Sequence, residues 1–127
     1  MYTVNYHRAK SISEAGKLAQ QGDAKFLSGG MTLIPAMKTR LAAPSDLIDL
    51  THIDGLSGIA VSGKEVTIGA ATTHYDVSRN EKLRKVCPAL TDLASHIGDP
   101  HVRYCGTIGV GCHGRHKQAG NPGVKIL

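Results

Sequence analysis

Tryptophan is absent from these 127 residues, and phenylalanine occurs once, at Phe26. A core with so few large rings has to be filled by Leu, Ile, Val and Ala. No apolar run approaches the roughly 20 residues that span a bilayer. The opening MYTVNYHRAK contains no apolar stretch of the kind that directs export. The three cysteines, Cys87, Cys105 and Cys112, are an odd number in a chain with no such signal. That argues for free thiols and a cytoplasmic setting, and against a disulfide framework. Acid is missing from one stretch. From His113 to Leu127 the chain has Arg115, Lys117 and Lys125 and neither Asp nor Glu, so +3 of the net charge of +5 lies there. That end carries no aromatic or Gly-Arg repeat, and it reads as a solvated tail before it reads as a nucleic-acid surface. A small basic nucleic-acid-binding domain is therefore the weakest functional reading.

With 41% apolar and 20% charged residues, the chain has the composition and length of one globular domain. Tyr2 to His7 alternates as a strand does. Ser11 and Glu14 then form an S-x-x-E capping box, with Ile12, Ala15, Leu18 and Ala19 on one helical face and Gly22 placed to end the helix. AKFL is a second strand. Met31 to Leu41 returns to helical spacing with Leu33 or Ile34, Met37 and Leu41 as its buried stripe, and Pro35 falls within the first turn. Asp46 to Leu50 is a short strand. Ile59 to Val61 and Val66 to Ala70 form a hairpin about Ser62-Gly63-Lys64. Ser78 to Glu81 offers a second capping box. Leu83, Val86, Cys87, Leu90, Leu93, Ala94 and Ile97 are helically spaced, with a break at Pro88 and Gly98 at the end. The order β-α-β-α-β-β-β-α predicts an α+β fold, a mixed sheet with packed helices around one sheet.

Two junctions draw attention. In KFLSGGMTLIPAMKTR, Gly29 and Gly30 follow a strand and precede a helix. Bare backbone there lets a phosphate approach peptide N–H groups directly, and a tight turn with no ligand would also use the pair. In RYCGTIGVG, Gly106, Gly109 and Gly111 surround Thr107 and Ile108. Neither junction has the Walker pattern or the G-x-G-x-x-G fingerprint. Two such loops about 80 residues apart can converge on one diphosphate.

FLSGGMTLIPAMKTRL, DLIDLTHI, VTIGAATTHYDV and HIGDPHVRYCGTIG occur in this order. Over residues 1–109 the chain resembles the FAD-binding medium subunit of molybdenum hydroxylases, the group of carbon monoxide dehydrogenase and the xanthine dehydrogenase type enzymes. The resemblance implies the N-terminal part of a PCMH-type FAD-binding domain over residues 1–109, followed by an atypical basic tail over residues 110–127. It implies FAD as cofactor, held by Leu27, Ser28, Gly29, Gly30, Met31, Thr32 and Leu33 in the first loop. In the second loop the implied contacts are Gly106, Thr107, Ile108 and Gly109. Ala71, Thr72, Thr73 and His74 match a family string near the flavin and take no catalytic role. The implied partners are a molybdopterin-binding large subunit, which oxidises substrate, and an iron–sulfur small subunit, which relays electrons to FAD. No residue of this chain is implied as acid, base or nucleophile.

After Gly109 the family carries another glycine, and this chain has Val110. A β-branched residue in a left-handed turn costs on the order of 1–3 kcal/mol. The change of composition there reads as a truncated or frame-shifted end, with weak or absent FAD binding by the isolated chain. The competing reading is an incomplete, non-catalytic remnant that keeps the fold and binds no flavin. Cys105, Cys112, His113 and His116 lack the spacing of a common zinc site, so no metal is expected. Asp46 and Asp49 read as turn and rim residues.

Overall fold

Strand pairing separates two sheets where the sequence suggested one. In the computed structural model, which describes residues 1–109 and 124–126, one compact unit covers Met1–Asp54 and the other begins at Gly55.

The first unit is built from β1 (Asn5–Arg8), α1 (Ile12–Leu18), β2 (Ala24–Leu27), α2 (Leu33–Lys38) and β3 (Asp46–Asp49). Its three strands run parallel in the order β1-β3-β2. The central strand has both faces covered, which explains why Leu47, Ile48 and Asp49 are all buried. The capping box forms as the sequence indicates. Ser11 Oγ accepts the Glu14 N–H at 3.2 Å, and the Glu14 carboxylate accepts the Lys10 N–H at 2.8 Å. Ile12, however, is 65% exposed, because the seven-residue helix turns Ala15 inward and leaves its first position at the rim. Gly22 does take a positive φ of 73°, but it lies beyond the Ala19 cap and forms a later turn.

The α2 stripe is also shorter than its periodicity indicates. Met37 is buried, whereas Leu41 is 84% exposed. The helix stops at Lys38 in a paired C-terminal lock. Arg40 N–H donates to Met37 O at 3.1 Å and Leu41 N–H to Ala36 O at 2.8 Å, with Arg40 in the left-handed region at φ 61°. That turn carries Leu41 away from the helix face.

The second unit contains β4 (Ile59–Ser62), β5 (Glu65–Ile68), α3 (His74–Arg79), α4 (Glu81–Val86), α5 (Pro88–Ser95), α6 (Pro100–Cys105) and β6 (Val124–Ile126). Ser62 pairs with Glu65, so the hairpin turn is only Gly63-Lys64, with Gly63 at φ 58°. β5 is antiparallel to β4 and parallel to β6, giving a mixed sheet. Val124–Ile126 is the third strand of this sheet, paired with Val66–Ile68. The helices pack α3 on α5 and α6, and α4 on α5. Val66, Ile68, Val77, Leu83, Ala94 and Ile108 form the core, an aliphatic one, and Phe26 in the other unit is 53% exposed.

Two helices escaped the sequence reading. Ser78 is not a cap: it lies inside α3 and donates its hydroxyl to Tyr75 O at 2.7 Å. The α3 cap is Thr73, whose hydroxyl accepts the Asp76 N–H at 3.1 Å, and the α4 cap is Asn80, which accepts the Leu83 N–H at 2.8 Å. α6 starts at Pro100, with the Asp99 carboxylate accepting the His101 N–H at 2.7 Å. The break at Pro88 stands as expected, and α5 ends at Ser95 with its cap at His96, ahead of Gly98. Among the described residues no helix is long and apolar enough to cross a membrane.

Candidate functional site

The first glycine loop joins β2 to α2. Leu27 closes the strand and Leu33 opens the helix. Gly30 is buried at φ 70°, and its carbonyl accepts the Ile34 N–H at 3.1 Å. A Cβ at Gly30 would stand 2.6 Å from Ile34 Cδ1 and 3.3 Å from Leu27 Cδ1, so this position requires glycine for both torsion and space. Thr32 occupies the cap position with no side-chain capping bond. Among the described residues the N–H groups of Gly29, Gly30, Met31 and Thr32 donate to no protein acceptor. Successive backbone donors in a turn are the set that a phosphate oxygen accepts from, so this loop fits a diphosphate group.

The second loop is built differently. Gly106 ends α6, and its N–H donates to Val102 O at 2.8 Å. From there residues 106–109 run beside residues 70–74. His74 N–H donates to Gly106 O at 3.0 Å, Ile108 N–H to Thr72 O at 2.9 Å and Gly109 N–H to Ala70 O at 2.9 Å, with Thr107 bridging Thr73. A Cβ at Gly106 would lie 2.5 Å from Val102 O, and one at Gly109 would lie 2.7 Å from Ala70 O. These glycines are explained by the approach of the protein's own backbone. The nitrogens of Gly106, Ile108 and Gly109 are thus engaged internally, in contrast to the expectation of bare nitrogens around Gly109. Val110 lies outside the described residues.

The string from Ala71 to His74 serves that ladder. Thr72 is buried, and its hydroxyl accepts the Gly58 N–H at 2.9 Å and donates to Gly58 O at 3.1 Å. Burial lowers the pKa of the half-buried His74 imidazole, which favours its neutral form. Beside it lies an aromatic pair that the sequence reading passed over. Tyr75 on α3 and Tyr104 on α6 stack with ring centroids 4.1 Å apart and planes 21° from parallel. Arg79, one helical turn beyond Tyr75, lies with its guanidinium carbon 5.6 Å from that ring's centroid. The Tyr104 phenol is held above the ordinary tyrosine range, chiefly by its hydrogen bond with Tyr75. An open cleft of about 460 Å³ adjoins the pair, lined by Ser57, Gly58, Thr72, Tyr75, Asp76 and Arg79 among others. The i, i+4 pairing of Tyr75 with Arg79 was the one sequence signal that could have exposed this cluster.

Asp49 departs from its expected rim position. It is buried and accepts hydrogen bonds from the Tyr6 hydroxyl, from Thr51 N–H at 2.8 Å and from the Thr51 hydroxyl at 2.7 Å. Burial pushes its carboxyl up, but the hydrogen bonds outweigh that and hold it below the usual carboxylate range. Asp46 is half-buried and bonded to Ser45, His7 and Asn5, the Ser45 hydroxyl contributing most to its lowered pKa. Among the described residues no group of three or more His, Cys, Asp or Glu is placed to hold a metal ion. Cys105 is an exposed free thiol, and Cys112, His113 and His116 lie outside the described residues.

The family model for the FAD binding domain in molybdopterin dehydrogenase matches residues 2–114, past the residue 109 at which the sequence resemblance was drawn. The carbon monoxide dehydrogenase medium chain of Afipia carboxidovorans is 45% identical over 109 residues, covering 84% of this chain and 38% of the relative. The corresponding medium chain of Hydrogenophaga pseudoflava is 41% identical over 123 residues, covering 95% of this chain and 43% of the relative. A solved carbon monoxide dehydrogenase from Hydrogenophaga pseudoflava, a form lacking the Mo-pyranopterin moiety of the molybdenum cofactor, superposes with a TM-score of 0.81 at 44% identity, over 85% of this chain and 38% of that one. The chain therefore spans about two fifths of the length of these relatives. It belongs to the family of FAD binding domains in molybdopterin dehydrogenases.

Proposed function

We propose that this chain supplies the N-terminal part of the FAD site in the medium subunit of a molybdenum hydroxylase. Its contacts to the cofactor are Leu27, Ser28, Gly29, Gly30, Met31, Thr32 and Leu33 in the first loop and Gly106, Thr107, Ile108 and Gly109 in the second. The observation that carries this is the run of four peptide N–H groups at Gly29–Thr32 with no acceptor among the described residues, in a chain of this family. Those amides hold and orient the diphosphate. The ladder at residues 106–109 acts through its shape, since three of its amides already serve the fold. When bound, the flavin accepts and releases electrons. The chain's own residues position it and move no proton. The partners are a molybdopterin-binding large subunit and an iron–sulfur small subunit, and the setting is the cytoplasm.

Titration of the full chain with FAD, ADP and riboflavin tests this. FAD and ADP are expected to saturate with a Kd of about 10 µM or weaker. Riboflavin, which has no phosphate, is expected to bind one to two orders of magnitude more weakly, the size of a lost set of hydrogen bonds to a charged group. Equal affinity for riboflavin and FAD would overturn the diphosphate assignment. The internal engagement of the second-loop amides favours one rival, a remnant that keeps the fold without flavin. That rival predicts no saturable binding of any of the three.

A further inference from the structure

We infer that the exposed face of Tyr104 is a stacking platform for a planar heteroaromatic ring of the flavin nucleotide. The inference rests on the flavin assignment and adds to it a residue outside both glycine loops. Tyr104 is 55% exposed although it is an aromatic residue in a chain that has only five Phe and Tyr rings and no Trp. One of its faces is occupied by Tyr75 at 4.1 Å between centroids, so the ring is fixed in orientation and the side chain has little rotamer freedom left to lose. A third ring can extend such a stack at small entropic cost.

Position and charge point to a nucleotide over a neutral aromatic. Tyr104 is two residues before Gly106, on the last turn of α6, so it stands at the entry to the ladder that fixes residues 106–109. Arg79 lies over the Tyr75 ring, and Arg103 is anchored by donating to Ser95 O at 3.1 Å. Arg103, one residue before Tyr104, keeps a cation on the same turn of α6, which suits a ligand that carries phosphates. Both ends of FAD offer a ring on a phosphate, adenine at one and isoalloxazine at the other.

The test uses the full chain with FAD, FMN and ADP as probes and the variants Tyr104→Ala, Tyr104→Leu and Tyr104→Phe, each checked for an unchanged thermal transition. Tyr104→Ala and Tyr104→Leu are expected to weaken FAD binding about tenfold, the usual scale of a lost ring-on-ring stack. Tyr104→Phe is expected to stay within about twofold of the parent, because the face is kept. A matching loss for ADP assigns adenine to the platform, and a matching loss for FMN with brighter bound-flavin fluorescence assigns isoalloxazine. Either supports the inference. FAD affinity unchanged in Tyr104→Ala would overturn it and leave the flavin assignment standing, as would an equal loss in the Phe variant, which would implicate the hydroxyl. Failure of the parent chain to bind FAD would remove the flavin assignment itself.

Discussion

Gly109→Ala should cost about 3 kcal/mol or more of unfolding free energy, measured by urea denaturation. A methyl group there would lie 2.7 Å from Ala70 O, 2.8 Å from Ala70 Cβ and 3.1 Å from Ala70 Cα. None of these is the mobile end of a long side chain, so the backbone has to move. Crowding of this sort costs on the order of 1–3 kcal/mol. The same movement pulls apart the Gly109–Ala70 and Ile108–Thr72 hydrogen bonds, both 2.9 Å, and the groups left unsatisfied at buried Ile108 and Thr72 add about 1–3 kcal/mol each. Gly16→Ala is the control. It sits inside α1 with nothing within 4 Å of its would-be Cβ, and it should gain about 0.5–1 kcal/mol from helix propensity. A cost below 1 kcal/mol at Gly109 would mean that the second loop is not pressed against residue 70, and that its glycine is there for some other reason.

Leu83→Ala is the second large effect, an expected loss of about 3 kcal/mol. Leu83 is fully buried in the core cluster with Val66, Ile68 and Val77. Large-to-small changes at such sites cost 2–5 kcal/mol through lost transfer energy and the cavity left behind. Leu93→Ala gives the contrast. The same helical periodicity placed it in the buried stripe, yet it is 70% exposed, and its removal should cost under about 0.5 kcal/mol. Pro88 breaks the chain between α4 and α5 and resets the helical phase, so one continuous stripe becomes two short ones. Equal costs at Leu83 and Leu93 would contradict that break.

The same pair of residues shows what could be read from the sequence. The Pro88 break, the Ser11 capping box, the hairpin about Gly63 and the short strands themselves all follow from local rules with their own chemistry. What eluded those rules was set by tertiary contact. α3 and α6 are six residues each, too short for a periodic stripe, and only their caps, Thr73 with Asp76 and Asp99 before Pro100, announce them. Division into two sheets depends on which strands pair, and short strands carry little information about partners. Helical periodicity puts Leu41 inside, but it does not register the left-handed turn at Arg40.

For the candidate site, glycine marked both loops but not the difference between them. Gly30 needs its positive φ and stands beside amides that have no acceptor among the described residues, whereas Gly106 and Gly109 make room for neighbouring backbone. A glycine in the sequence is compatible with either use. Only the hydrogen-bond inventory separates a turn that offers donors to a ligand from one that has already spent them.

The central claim is therefore about specific nitrogens, and amide nitrogen–proton correlation spectra during titration with ADP test it most directly. The account predicts that the signals of Gly29, Gly30, Met31 and Thr32 shift together along one saturation curve, while those of Gly106, Ile108 and Gly109 stay protected from solvent exchange throughout. Saturating ADP that leaves the four first-loop signals where they were would contradict it.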